Sequence, residues 1–218
     1  VTMVERDQES LERGIENVKK VYRRDVEKGR LSQEKADKIL SNYSTSTHLK
    51  DLSDKDMIIE AVFEELDVKK GVFSQLNDIA KEGAVLASNT SYLDIDKIAS
   101  ATDRVGDVIG LHFFSPANIM RLLEIVVPTN VKDDVVATGF QLAKILKKVP
   151  VRAGNCDGFI GNRVLENYAK AANYMMEDGT SPYDIDKAIV EFGYPMGPFQ
   201  MFDLAGGDIG SVSYTHLT

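Results

Sequence analysis

Between Asp7 and Gly29 apolar residues recur at Leu11, Ile15, Val18, Tyr22 and Val26. That spacing predicts a helix with one buried face. A short apolar run, Val1 to Glu5, precedes it and ends in a carboxylate. A second helix is predicted over 33–40, opened by Ser32, a good N-cap type. The polar stretch 43–48 follows, and DMIIEAVFE, residues 56–64, reads as a buried strand. Helix returns over 68–80, strand over 84–88 running into the polar turn SNTS, and a short helix over 95–101. GDVIGLHFFSP, residues 106–116, reads as a strand closed by proline, and LLEIVV, residues 122–127, as another. A helix over 133–147 and a strand over 149–153 complete the series. Strand and helix alternate throughout, which argues for an α/β fold with a largely parallel sheet.

After Gly154 the β-branched runs largely stop. Segments 159–177, 182–192 and 199–205 read as helices with little strand between them, so a second, all-helical domain is expected. Ser181 before Pro182 gives an N-cap followed by proline at the first helical position, and Gly179 is placed to close the preceding helix. The join near 154–157 is short, which leaves a cleft between two closely packed domains.

Composition narrows the function. The chain has 218 residues, 43% hydrophobic and 28% charged, enough for a sizeable core. Its net charge of −8 argues against a nucleic-acid partner, whose phosphates call for excess Lys and Arg. No apolar run reaches the roughly 18 residues of a membrane span. One cysteine, Cys156, permits neither an intrachain disulfide nor a two-plus-two zinc set. No metal is expected, and a reducing compartment such as the cytoplasm is the natural home. Cys156 itself is expected to be an inert, partly buried thiol. The segment KKVYRRDVEKGR is most simply a solvated helix face, with a basic rim for an anionic ligand as the alternative.

In open α/β sheets ligands sit beyond the carboxyl ends of the strands, so the polar residues there are candidates: Glu5, Glu64, Ser88 to Ser91 including Asn89, and His112. Glu124 stands inside LLEIVV, where a charge is costly to bury unless paired. Of three histidines, only His112 ends an apolar strand, making it the obvious partner. Each also has a bland reading: a structural histidine, an edge-strand or bulge carboxylate, and an Asx-type turn with a helix cap at SNTS.

Taken together, ASNTS, LHFFSPANIMRLLEIV, GNCDGFIGNR and GYPMGPFQMFDLAGGD resemble, in order and spacing, the 3-hydroxyacyl-CoA dehydrogenase family. The resemblance runs from Val1 to about Gly210 and is strongest to the dehydrogenase part of multifunctional fatty-acid β-oxidation enzymes. It implies a Rossmann-type domain over 1–153, a helical C-terminal domain over 154–211, NAD as cofactor, and oxidation of (S)-3-hydroxyacyl-CoA to 3-oxoacyl-CoA. His112 then matches the catalytic base, Glu124 its orienting partner, and Ser91 and Asn162 the groups at the substrate oxygen. Glu5 matches the acid that binds the adenosine ribose, while Glu64, Lys69 and Asn89 match positions near the cofactor. Ser115 departs from the asparagine usual in single-function members.

The family pattern also carries a first strand and a GxGxxG turn roughly 20 residues before the ribose-binding acid. Here that acid is residue 5, and no GxGxxG occurs in the sequence. The chain is therefore expected to be a fragment lacking its first strand, with both domains truncated, and inactive as it stands. The start VTMVERDQ, without initiator Met or leader, fits a cut inside a longer protein. Residues 212–218 read as an in-frame translation of an adaptor-like DNA end, and are expected to be non-native. An acyl-CoA substrate, fusion to an enoyl-CoA hydratase domain or a homodimer, and a peroxisomal location in a eukaryote are further implications. Two rivals stay open: a dehydrogenase of the same superfamily acting on a small hydroxy acid, and a non-catalytic module binding acyl-CoA or a partner protein.

Overall fold

The computed structural model describes residues 1–205; the segment 212–218 lies outside them. The chain begins with β1 (Thr2–Val4), α1 (Gln8–Glu27), α2 (Gln33–Leu40) and β2 (Ser44–Ser46). Then come β3 (Met57–Glu60), α3 (Leu66–Ile79), β4 (Val85–Ser88), α4 (Ile95–Ala99), β5 (Val108–Phe113), β6 (Leu122–Val127), α5 (Asp133–Ile145) and β7 (Val149–Gly154). Three helices end the described residues: α6 (Gly161–Glu177), α7 (Pro182–Phe192) and α8 (Pro198–Ala205). The expected α/β domain followed by an all-helical one is what forms.

Side-chain caps open several of the helices. Asp7 accepts from the Ser10 amide at 2.7 Å to open α1, and Ser32 opens α2 in the same manner at 3.4 Å. Ser181 accepts from the Tyr183 amide, with Pro182 at the first position of α7. Asp186, on α7, accepts from the amides of both Phe199 and Gln200 at 2.9 Å and so caps α8. Gly197 has to be glycine there, since a Cβ would lie 2.2 Å from the Asp186 carboxylate.

The main sheet has the order β3-β4-β5-β6-β7, parallel except for the antiparallel pair β5 and β6. Alternation sorts its side chains onto two faces. Val85, Ala87, Ile109, Leu111, Leu123 and Ile125 pack with Val135 and Ala143 of α5. Ile58, Leu86, Val108 and Val126 pack on the other face with Phe73 and Leu76 of α3 and Ile95 and Ile98 of α4. β1 and β2 form a separate parallel pair, although Val4 packs against the second cluster.

The structure departs from the pattern in three places. β2, of sequence STS, lies in the stretch read only as polar; its residues are half-buried or exposed, so no apolar alternation marks it. β3 stops at Glu60, because the Glu60 carboxylate accepts from the Val62 amide at 2.6 Å and turns the chain out of the sheet. Cys156 is exposed, not partly buried, because it sits in the bend after β7. Among the described residues no helix is long and apolar enough to cross a membrane.

Candidate active site

β5 and β6 pair in a register that sets His112 directly opposite Glu124. The connection between them is short enough for antiparallel pairing, and residues in direct register share one face of the sheet. Nδ1 of His112 lies 2.7 Å from Oε2 of Glu124, with the histidine 3% exposed and the glutamate fully buried. Oε1 of the same carboxylate accepts from the amides of Ile160 at 3.0 Å and Gly161 at 2.8 Å. Both oxygens are thereby satisfied, as a buried charge requires. Phe114 and Phe159 flank the imidazole at ring-centroid distances of 4.4 and 5.6 Å. Gly161 has no room for a side chain, since a Cβ would meet the Phe114 ring at 2.7 Å. With Nδ1 engaged, Nε2 is the nitrogen without a hydrogen-bond partner among the described residues.

A second charged cluster closes the ends of β3 and β4. Lys69, fully buried, donates from Nζ to Glu60 at 2.8 Å and to the carbonyls of Val62 and Asn89 at 3.4 Å. Its contact with Glu64 is longer, 3.5 Å. Glu60 also accepts from the Ser88 hydroxyl at 2.7 Å. Glu64 accepts from the Thr90 hydroxyl and from the amides of Ser91, at 2.7 Å, and Tyr92. The SNTS turn is thus fastened from beneath by carboxylates. Asn89 accepts from the Phe113 amide at 3.1 Å, which ties the same turn to the end of β5 beside His112. Asn162 donates to the Ser91 carbonyl at 3.2 Å, bringing the helical domain onto the turn.

Residues 1–156 match the family described as 3-hydroxyacyl-CoA dehydrogenase, NAD binding domain, and residues 158–218 match its C-terminal domain. The chain belongs to the 3-hydroxyacyl-CoA dehydrogenase family. It is 50% identical over 165 residues to the peroxisomal bifunctional enzyme of Cavia porcellus, covering 76% of this chain and 23% of that protein. To the glyoxysomal fatty acid beta-oxidation multifunctional protein MFP-a of Brassica napus it is 40% identical over 217 residues, covering 100% of this chain and 30% of the relative. The chain therefore spans about a quarter of the length of these curated relatives. Among solved structures, FadB2 of M. tuberculosis superposes with a TM-score of 0.93 at 36% identity, covering 95% of this chain and 74% of that one.

NAD is the cofactor for which this family's first domain is built. Glu5 suits it: it follows β1, is half-buried, and its carboxylate makes no hydrogen bond or ion pair among the described residues, leaving both oxygens free for vicinal hydroxyls. Val62 and the largely exposed Phe63 add apolar surface between β3 and α3.

The fold brings His112 to Glu124, and Ser91 to Asn162 and Glu64. Lys69 and Asn89 are spent on protein groups, Lys69 through all its contacts and Asn89 through its carbonyl oxygen. Three participants escape a reading of strand ends. Glu60 lies within its apolar run, where the one available signal was a charge in a strand, the same signal that singled out Glu124. The amides of Ile160 and Gly161 act through backbone, which side-chain types do not report. Among the described residues no group of three or more His, Cys, Asp or Glu is placed to hold a metal.

Proposed function

We propose that the parent protein oxidises (S)-3-hydroxyacyl-CoA to 3-oxoacyl-CoA with NAD, with His112 as base. The observation that carries this reading is the buried His112–Glu124 pair, satisfied on every side except Nε2. Neutral imidazole takes the C3 hydroxyl proton on Nε2 near pH 7. When bound, NAD would supply the hydride acceptor for C3. Glu124, on Nδ1, fixes the tautomer and stabilises the imidazolium as it forms. Ser91 and Asn162 approach the substrate oxygen from the two domains and hold it against Nε2. Glu5 would hold the adenosine ribose of the cofactor, and Glu64, Lys69 and Asn89, which fix the SNTS turn, would shape the wall of its site. A parallel strand between β1 and β3 would make one continuous sheet, and the glycine-rich turn for the pyrophosphate belongs there. The 218-residue chain, without that turn, binds NADH weakly and turns over little. Dissociation constants in the micromolar range, read by NADH fluorescence on a chain that has no tryptophan, would refute this.

Peroxisomal location and fusion to an enoyl-CoA hydratase domain follow the multifunctional relatives; a homodimer is the alternative assembly. The decisive experiment is a spectrophotometric assay of the parent enzyme with acetoacetyl-CoA and NADH against its His112→Ala variant. Loss of turnover with NADH binding retained is expected, and full turnover in the variant sinks the assignment. Turnover of a free hydroxy acid in preference to its CoA ester would favour the small-substrate reading.

A further inference from the structure

α6 begins without the usual local cap. Its N-cap residue, Ile160, supplies no side-chain hydrogen bond and its first turn holds no acidic residue, although such a helix start leaves several amides without partners. Two of those donors, Ile160 and Gly161, converge instead on Oε1 of Glu124, a residue of β6 in the other domain. The chain is bent to achieve this. Phe159, 2% exposed, has φ of +48°, a left-handed conformation that costs a non-glycine residue energy and persists only where its surroundings impose it. Among the described residues, three hydrogen bonds join 158–205 to 1–153: these two, and that from Asn162 to the Ser91 carbonyl. All three end on residues of the site.

We infer that Glu124 is the N-cap of α6 supplied in trans, so that docking of the helical domain and assembly of the His112–Glu124 pair are one event. The inference rests on the pair being the reacting one for its functional weight, but the capping itself does not. A carboxylate at a helix N-terminus is favoured by the unpaired amides and the helix dipole together, and each charge-assisted hydrogen bond is about twice as strong as a neutral one. With α6 undocked, Oε1 would be buried without donors, and Glu124 would be drawn toward solvent and away from Nδ1. The amides of Ile160 and Gly161 are therefore positioning groups for the base, and Asn162 reaches Ser91 in the same movement.

Amide hydrogen exchange on the 218-residue chain tests this. Glu124→Ala is expected to lower protection of the Ile160 and Gly161 amides and of the first turn of α6 by about tenfold or more, while His112→Ala, which empties the other oxygen, leaves them protected. Should Glu124→Ala fail to fold, Glu124→Gln, which keeps the volume and one acceptor, decides with a smaller loss. Unchanged protection in the glutamate variant that folds, or an equal loss in His112→Ala, overturns the inference. The reciprocal arm follows the Nδ1 proton of His112 by NMR. Gly161→Pro removes one donor at the first helical position, and Gly161→Ala, which brings the same Cβ against Phe114, keeps the donor and controls for that crowding. Displacement of the Nδ1 signal in the proline variant beyond that in the alanine variant is expected; equal displacement counts against positioning. If His112→Ala keeps full turnover in the parent enzyme, the catalytic reading falls while the exchange pattern still stands or falls by itself.

Discussion

Two buried polar pairs sit on one sheet, Glu60–Lys69 at the end of β3 and His112–Glu124 across β5 and β6, with β4 between them, and they differ in what they leave open. In Glu60–Lys69 every polar group is taken up by protein: the ammonium meets the carboxylates of Glu60 and, at 3.5 Å, Glu64, together with two carbonyls, and the Glu60 carboxylate meets Lys69, Ser88 and the Val62 amide. In His112–Glu124 the carboxylate is filled just as completely, but one imidazole nitrogen has no protein partner among the described residues. A closed network holds loops in place; a network with one vacancy can exchange a proton. The contrast separates scaffolding from chemistry more sharply than burial does, since all four side chains are nearly inaccessible.

The largest expected effect tests the open pair. In the parent enzyme, His112→Ala should lower kcat by about 10²- to 10⁴-fold while NADH binding is retained. The closed pair should behave the opposite way. Lys69→Met strands the Glu60 carboxylate and should destabilise the fold by about 3–5 kcal/mol, measured by urea unfolding, and adding Glu60→Gln should recover part of the loss. If Lys69→Met unfolds no more easily than the parent chain, the scaffolding reading of that pair is wrong.

A third cluster, at the other end of β5, calibrates both. Burial alone would raise the Asp107 carboxyl, but hydrogen bonds and charge from Lys132 and Arg104 outweigh it and hold it below its ordinary value of 3.8. Arg104 in turn donates to the carbonyls of Ala80, Lys81 and Ala84 beyond α3. Because the folded value is depressed, this stabilisation is fully present above the ordinary aspartate range and is lost as pH falls through the depressed value. Unfolding followed between pH 5 and 2 should therefore show a smaller acid sensitivity in Asp107→Asn than in the parent chain, a pH range roughly set by that linkage. The smallest effect concerns Tyr168, whose buried hydroxyl has no partner among the described residues and whose titration is pushed up by burial. Tyr168→Phe should be neutral or stabilising, by no more than about 1 kcal/mol in thermal melts.

Much of this is legible in the sequence. α7 and β6 fall on the residues that capping and apolar runs mark out, because Ser181, Pro182 and LLEIVV carry their instructions locally. His112 and Glu124 stood out as polar residues in apolar strands, and their pairing followed from a connection short enough for a hairpin. β2 was hidden because three small hydroxyl residues form a strand only when β1 supplies the ladder. Glu60 is not marked out from Glu64, the acid at the end of its run, since nothing local says where a strand will be turned out of the sheet. The cap on α6 was beyond reach, because its donors are main-chain groups and its acceptor lies 36 residues earlier in the sequence.

The two-faced sorting of β5 and β6 has a consequence for quality control. Leu111, Leu123 and Ile125 point toward α5, while His112 and Glu124 point the other way. A slip of one residue between these strands would carry a glutamate into the α5 layer and leucine or isoleucine against the imidazole. Such a molecule would not persist as a well-folded but idle enzyme; it would be poorly packed and open to proteolysis or aggregation. Surveillance that discards loose chains would thereby also discard those whose His112–Glu124 pair is misplaced, and the apolar layer under α5 acts as a proofreader for a polar pair on the opposite face.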